Sequence, residues 1–455
     1  MTARAAYHGG AANSYTTDGQ HSVTIETAHP PAAFADALKV WTRIGLTSFG
    51  GPAGQIALMH KILVEEKKWL DERTYLLALN FCTLLPGPEA MQLATYSGWR
   101  LHGVKGGLAA GLMFVLPGAA LILLLAMLYA AFGSVPFVSA IFLGVKAAVL
   151  AIVIEALVKI SKRALQDSTA YVIAALSFAA IFLLQVPFPL IVLAAGVFGY
   201  LRGMSRTPVD VPTVAPVPVP MKQTLTTIAV WLAIWIVPLA GIVVMFGWDH
   251  VLSKLALFFS TLAIVTFGGA YAVLAYMAQE AVMTHGWLSA GDMLDGLGLA
   301  ETTPGPLILV TEFVGYLAAY RAEGAHSIAM GVLGALVTLW ATFAPCFLYI
   351  FAGAPYIERL KAAPRLGAAL AAITAAVVGV ILNLSVWFAL HVLFRTVATV
   401  EAGPFRLIVP DVASLDVEAV AIAAVAAVLL FRLHAGIMTT LAVCGALGLA
   451  AAQIV

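Results

Sequence analysis

The chain repeats itself in a single register. Thr47-Ser48-Phe49-Gly50-Gly51 returns as Val265-Thr266-Phe267-Gly268-Gly269, Trp69-Leu70 as Trp287-Leu288, and Pro86-Gly87-Pro88 as Pro304-Gly305-Pro306. Each pair is 218 positions apart, since 267−49, 287−69 and 304−86 agree. Three matches in one register make the chain two copies of one unit. Both copies carry Gly-Gly and Pro-Gly-Pro breaks inside apolar sequence. Interrupted hydrophobic segments at matching positions of two repeats point to a membrane transporter and its binding site.

The sequence around the breaks supports a bilayer setting. Of 455 residues, 62% are hydrophobic and 10% charged, with a mean hydropathy of +0.98. A soluble protein carries about 25% charged residues, so this chain cannot cover its own surface in water and reads as a polytopic membrane protein. The net charge of +1 leaves no basic footprint for nucleic acid. Cys82, Cys346 and Cys444 lie in apolar segments without metal-type spacing and read as small buried hydrophobes. Residues 1–33 are polar and lack the order of a signal peptide, so they read as a disordered cytoplasmic tail.

A spanning helix needs about 20 apolar residues. The first repeat, residues 34–202, contains six membrane elements, at 36–60, 74–100, 104–133, 136–159, 168–186 and 188–202. A proline-rich linker over 203–223 and an extra transmembrane helix over 224–248 follow. The second repeat, 249–455, again has six elements, at 253–278, 292–320, 327–352, 366–394, 417–433 and 435–453, the last two short enough to form a tight hairpin. Six elements plus one lone helix is an odd number, so the second copy enters from the opposite side. The expected fold is therefore all-α, with two inverted-topology repeats built from Pro/Gly-broken or re-entrant helices.

Loop charges orient it. If every element spans, Lys and Arg divide twelve to eight in favour of the side holding the N-terminus. If the motif elements are re-entrant, Lys61, Lys67, Lys68 and Arg73 change sides and the division becomes sixteen to four. Either way the N-terminus is expected in the cytoplasm, and the cleaner bias favours hairpins.

Proline removes a backbone donor and glycine relaxes the chain. Pro86-Gly87-Pro88 should therefore end one half-helix and begin another, pointing free N–H groups and a positive dipole end at the break. Pro304-Gly305-Pro306 should make a second such site, and Phe49, Gly50, Gly51, Phe267, Gly268 and Gly269 should face them. A plain pair of helix kinks is the bland alternative. Polar flanks argue against it: Asn80, Thr83 and Gln92 in the first copy, Thr302 and Thr303 in the second, with Ser48, Gln55, Thr266 and Tyr271 nearby.

Ionisable residues within membrane elements are costly and are functional candidates. Arg43 and Lys146 are candidates to balance an anion's charge; snorkelling for Arg43 and a structural pair with Glu155 for Lys146 are the alternatives. Glu89, Glu301 and Glu312, beside the breaks, are candidates to carry protons, with local pairing or capping as the alternative. Trp69 and Trp287 read as interfacial anchors. No phosphate loop, H-E-x-x-H or G-x-S-x-G is present, and Ala290-Gly291-Asp292 is too short a match for an aspartyl protease. No catalytic residue, metal or cofactor is expected.

The chain resembles the chromate ion transporter family in its form with two fused homologous domains. Phe49 to Pro52 (FGGP), Phe267 to Ala270 (FGGA), both Pro-Gly-Pro triplets and the run from Asn80 to Glu89 (NFCTLLPGPE) carry the resemblance, which covers about residues 36 to 453. It implies export of chromate across a bacterial inner membrane, driven by the membrane potential or a proton gradient, with sulfate as an analogue. A passive oxyanion channel or a sulfate permease of the same fold is the alternative, and a membrane enzyme or scaffold is a third class. A homodimer is compatible with the sequence. Gly51-Pro52 becomes Gly269-Ala270 in the second copy, so the halves are not equivalent.

Overall fold

A computed structural model describes residues 33–204 and 220–453, apart from 268–269, 325, 358–363 and 404. The expected tail, most of the proline-rich linker, Gly268 and Gly269 lie outside the described residues.

The expected first two elements are each split in two. The first divides into α1 (Phe34–Thr47) and α2 (Gly51–His60), which runs on as a π-helical turn over Lys61–Glu66. The second divides into α3 (Glu72–Leu84) and the start of α4 (Glu89–Phe132), itself broken at His102 and Gly103. The cause of the α3–α4 break is local. A residue preceding proline is pushed out of the helical region, and Leu85 accordingly turns extended (φ −88°, ψ 150°) before Pro86. Pro88 then caps α4 in the same extended conformation. α1 and α3 have 14 and 13 residues, about 20 Å of helix, short of the roughly 30 Å of a hydrocarbon core. Phe34 at the start of α1 packs on His102 at the α4 break (ring centroids 5.4 Å), and Asp71 before α3 feels the charge of Arg100 beside that break, so both pairs begin and end at one face and are hairpins.

After the hairpins come the long second stretch of α4, α5 (Pro136–Ala164), α6 (Ser168–Leu184) and α7 (Phe188–Gly203), and then the separate helix α8 (Met221–Phe246). Inside α8, Pro238 cannot bond the Ile234 carbonyl. The Trp340 indole N–H takes that carbonyl at 3.1 Å, so the gap in the ladder is filled from a neighbouring helix.

The second repeat follows the same plan. α9 (Val251–Val265), α10 (Ala270–Ala278) with a π-helical turn over Gln279–Thr284, α11 (Ala290–Thr302), and a 3₁₀ turn (Leu307–Leu309) leading into α12 (Val310–Tyr320) form its two hairpins. The register of 218 persists in the backbone: Trp69 N–H donates to Leu63 O, and Trp287 N–H donates to Ala281 O, both at 2.8 Å. α13 (Ile328–Gly353) and α14 (Pro364–Leu393) follow. A two-stranded antiparallel hairpin, β1 (Val397–Ala402) with β2 (Phe405–Pro410), then precedes α15 (Val417–Ala427) and α16 (Ile437–Ala451). That β-hairpin was not expected from the sequence.

Helix direction alternates so that the first repeat starts on one face, called here the near face, and the second on the far face. Gly203, closing α7, packs on Arg365 at the start of α14, which places both at the near face. Tyr129, near the end of α4, reaches Asp292 at the start of α11, which places both at the far face. The repeats are inverted, and they exchange their last helices. α6 and α7 pack on α14, whereas α15 and α16 pack on α5. The contacts are close enough to require glycine: a methyl on Gly199 or Gly144 would run into the carbonyl of Ala368 or Cys444.

Candidate functional site

Residues that follow the four breaks meet. A narrow central cavity of about 10 Å³, room for about one water, is lined by Pro52, Gln55, Pro88, Glu89, Ala90, Ala270, Pro306, Leu307 and Ile308. These residues belong to the first turns of α2, α4 and α10 and to the 3₁₀ turn that opens α12. Four half-helices, two from each repeat, therefore direct their N-termini at one spot. The opening amides of a helix have no carbonyl within it to bond, and each N-terminus acts as about half a positive charge.

The opposite helix ends are dealt with differently. The Gly87 N–H donates to the Thr266 carbonyl beyond α9 at 3.0 Å, and the Gly305 N–H donates to the Ser48 carbonyl beyond α1 at 2.9 Å. Each Pro-Gly-Pro tip thus binds the break of the other repeat. Both glycines make this turn with positive φ, +104° and +96°, a conformation that side chains disfavour. The Gln55 amide Nε2 reaches the Gly305 carbonyl at 2.5 Å, and the Gln92 amide Nε2 reaches the Pro86 carbonyl at 2.6 Å. Carbonyl ends are paired within the protein, while helix N-termini face the cavity. Electrostatically this favours an anion.

The expected site residues separate into groups. Pro88, Glu89 and Pro306 line the cavity. Pro86, Gly87, Pro304 and Gly305 are not among the lining residues, and the N–H groups of Gly87 and Gly305 are occupied by carbonyls and are not free for a ligand. Gly50, in a left-handed conformation, and Gly51 turn the chain into α2; the Phe49 ring is exposed and Phe267 is half-buried. Gln92 is fully buried beneath the first tip. Thr302 and Thr303 both turn their hydroxyls back to the Leu299 carbonyl. Asn80 and Thr83 lie on the exposed side of α3, where the Thr83 hydroxyl donates to the Asn80 carbonyl.

The charged candidates have other partners. Arg43 is exposed and pairs with Glu66 at 3.3 Å. Lys146 pairs with Asp295 at 3.2 Å, whereas Glu155 pairs with Lys159; the alternative of a Lys146–Glu155 pair gives way to a contact made across the repeats. Glu301 is buried and accepts from the Tyr271 hydroxyl at 3.0 Å. Glu312 is buried, and its Oε2 meets no hydrogen-bond partner among the described residues.

Sequence reasoning missed a polar cluster at the far-face end of the second Pro-Gly-Pro hairpin. Arg321 grips Asp292 with two nitrogens, at 2.9 and 3.1 Å, joining the two limbs of that hairpin. The Tyr129 hydroxyl lies 2.9 Å from Asp292 and 2.8 Å from Asp295, and Lys146 pairs with Asp295, so α4 and α5 of the first repeat are held to α11. The signal was present: Asp292 and Asp295, one turn apart in an apolar element, share a helix face. At the matching positions of the first repeat stand Thr74 and Leu77, with Gly103 opposite Arg321. The first hairpin lacks this clamp. Among the described residues no group of three His, Cys, Asp or Glu side chains is placed to hold a metal ion.

Comparisons with known proteins follow the same division of the chain. The family described as chromate transporter matches residues 35–200 and 253–449, one match per repeat. A chromate transport protein of Pseudomonas aeruginosa is 33% identical over 376 residues, covering 81% of this chain and 84% of the relative. A chromate transport protein of Cupriavidus metallidurans is 28% identical over 364 residues, covering 79% and 83%. An uncharacterized transporter of Methanocaldococcus jannaschii is 26% identical over 377 residues, covering 81% and 87%. No solved structure matches the chain. With both halves matched, and with multi-pass helical architecture around a shared centre, the chain belongs to the chromate transporter family.

Proposed function

We propose that this protein exports chromate, or a tetrahedral oxyanion like it such as sulfate, from the bacterial cytoplasm through the central cavity. The observation that carries this reading is the convergence of four half-helix N-termini on one small space. At about half a charge each, four such ends supply about +2, the complement of a divalent oxyanion. Arg43 and Lys146 have carboxylate partners outside the cavity lining, so the anion's charge is met by backbone. A backbone cradle holds a fixed shape and carries no mobile counter-charge.

Glu89 is the titratable side chain among the cavity-lining residues. A carboxylate there repels an oxyanion, and a protonated one can donate to it. Glu89 is accordingly the residue through which a proton gradient would act, and the membrane potential alone would move the net charge. The hairpins place Lys61, Lys67, Lys68 and Arg73 at the near face, the arrangement that gives the stronger loop-charge bias. This supports a cytoplasmic near face and N-terminus in an inner membrane.

The test is uptake of chromate and of sulfate into everted membrane vesicles, with and without an uncoupler. Energy-dependent chromate uptake inhibited by sulfate is the expected result. Flux that never accumulates substrate against its gradient assigns a channel. No flux of either anion, with the protein verified in the membrane, overturns the reading.

A further inference from the structure

The near face holds a second and larger crevice that oxyanion transport does not use. It lies between α6, α7 and α14 and has a volume of about 360 Å³. Its mouth carries Arg163 and Arg202, with Gln166 and Asp167, at the level where α5 and α7 end and α6 begins. Below the mouth the lining is mostly apolar, with Ile173, Phe198, Ala371 and Ala375 among its residues. The lining runs from Ala368 to Ala375 along α14 (375−368 = 7 residues) and from Asp167 to Ile173 along α6 (173−167 = 6 residues), a depth of about 10 Å.

Two ligand chemistries fit a positive mouth, and the depth separates them. A free divalent oxyanion entering this crevice would lose its hydration against alanine and isoleucine, which is costly without polar partners. An acyl chain would gain by the same burial. At the mouth, Arg202 is held by Asp167 only at 3.4 Å, with both side chains about half exposed (46% and 49%). Arg163 makes no ion pair within 4 Å among the described residues, although its charge is felt at Glu89. The rim therefore keeps one net positive charge and two guanidinium forks, a geometry suited to a phosphate diester. The near face is also the one richer in Lys and Arg, the side that faces anionic lipid in a positive-inside protein.

We propose that this crevice is a binding site for an anionic phospholipid, with its phosphate on Arg163 and Arg202 and one acyl chain laid along α14 over Ala371 and Ala375. The site shares no lining residue with the central cavity, although the Arg163 charge reaches Glu89 there.

The experiment is thermal unfolding of the purified full-length protein with added phosphatidylglycerol, phosphatidylcholine or inorganic phosphate. Phosphatidylglycerol should raise Tm by about 2–4 °C over phosphatidylcholine, and phosphate alone should not. The double variant Arg163→Gln/Arg202→Gln should lose the shift. Ala371→Trp, which fills the crevice and keeps both arginines, should lose it as well. Equal shifts with both lipids, an equal shift with phosphate, or a phosphatidylglycerol shift retained in the double variant each overturn the proposal. Should the double variant not fold, a full shift retained by Ala371→Trp overturns it alone.

Discussion

The amide of Gly305 donates to the carbonyl of Ser48 at 2.9 Å, across the boundary between the two repeats. The tip of one hairpin is thereby fixed to the break of another, and the pseudo-symmetric contact from Gly87 to Thr266 repeats the arrangement. The centre of the protein belongs to neither half.

Leucine at either tip glycine should stop transport. At φ of +104° and +96° a side chain adds about 1–3 kcal/mol of strain. The new Cβ would also meet Cys346 Sγ at 3.1 Å, or the Phe114 carbonyl at 3.2 Å. Gly87→Leu and Gly305→Leu are expected in the membrane fraction at near-normal amounts with little uptake. Normal uptake by both would move the pathway away from the tips.

Gln55 and the pair Asn80 and Thr83 make a matched comparison, because only Gln55 lines the cavity. Gln55→Leu loses the contact to the Gly305 carbonyl, a hydrogen bond with a net contribution of about 0.5–1.5 kcal/mol. Vesicle uptake should fall about tenfold, which corresponds to about 1.4 kcal/mol. Asn80→Ala and Thr83→Ala should leave it unchanged. Equal effects at all three positions would contradict the placement of the cavity.

Glu89→Gln keeps the size of the side chain and removes its proton chemistry. If Glu89 couples protons, the variant should carry chromate down its gradient while an imposed pH gradient no longer accelerates it. A response to pH equal to that of the native protein would remove Glu89 from the coupling role.

The clamp between Asp292 and Arg321 should be worth measuring as a cycle. Charge-assisted bonds contribute about 1.5–3 kcal/mol, and partial solvent screening places this pair toward the lower end, since Arg321 is 37% exposed. Asp292→Asn, Arg321→Gln and the double variant, compared by thermal unfolding, should give a coupling energy above about 1 kcal/mol. A coupling near zero would mean that the two limbs are held by packing alone.

Asp71 supplies a small acid-sensitive contribution at the near face. Burial alone would raise its pKa, but the hydroxyl and amide of Thr74 both donate to it and hold it below the ordinary carboxylate value. With the folded value depressed, the stabilisation is present above the unfolded pKa of about 3.9 and is lost as pH falls through the folded value. Asp71→Ala should therefore lower Tm at neutral pH, by the loss of a cap worth about 1 kcal/mol. The difference from the native protein should shrink below about pH 4; a constant difference would show that the cap acts without its charge.

What the sequence made legible was whatever proline and glycine impose locally. The breaks at Pro86-Gly87-Pro88 and Pro304-Gly305-Pro306, the inversion and the spans of the long helices all follow from residue type and parity. Partners were less accessible. Nothing within a few residues of Lys146 indicates Asp295, and Glu155 was a false lead: nine residues on, it lies on the opposite face of α5, and its one-turn neighbour Lys159 takes it, while packing between repeats is not visible in sequence. The amides of Gly87 and Gly305 read as free for the same reason, since their acceptors, Thr266 and Ser48, come from the other half. The β-hairpin over Val397–Pro410 was obscured by its length. Its Val-Ala-Thr-Val and Leu-Ile-Val runs carry β-branched residues, but each strand has only six positions, too few to stand out beside helices of 26 to 30.

The exchange of terminal helices sets a schedule for synthesis. α6 is complete at Leu184, yet α14, on which it packs, is complete only at Leu393, 393−184 = 209 residues later. At about 5–20 residues per second, the ribosome takes on the order of 10–40 s to deliver the partner. Through that interval α6 and α7 must wait in the bilayer with their inner faces against lipid. The two repeats cannot mature one after the other; the first stays unfinished until most of the second has been made.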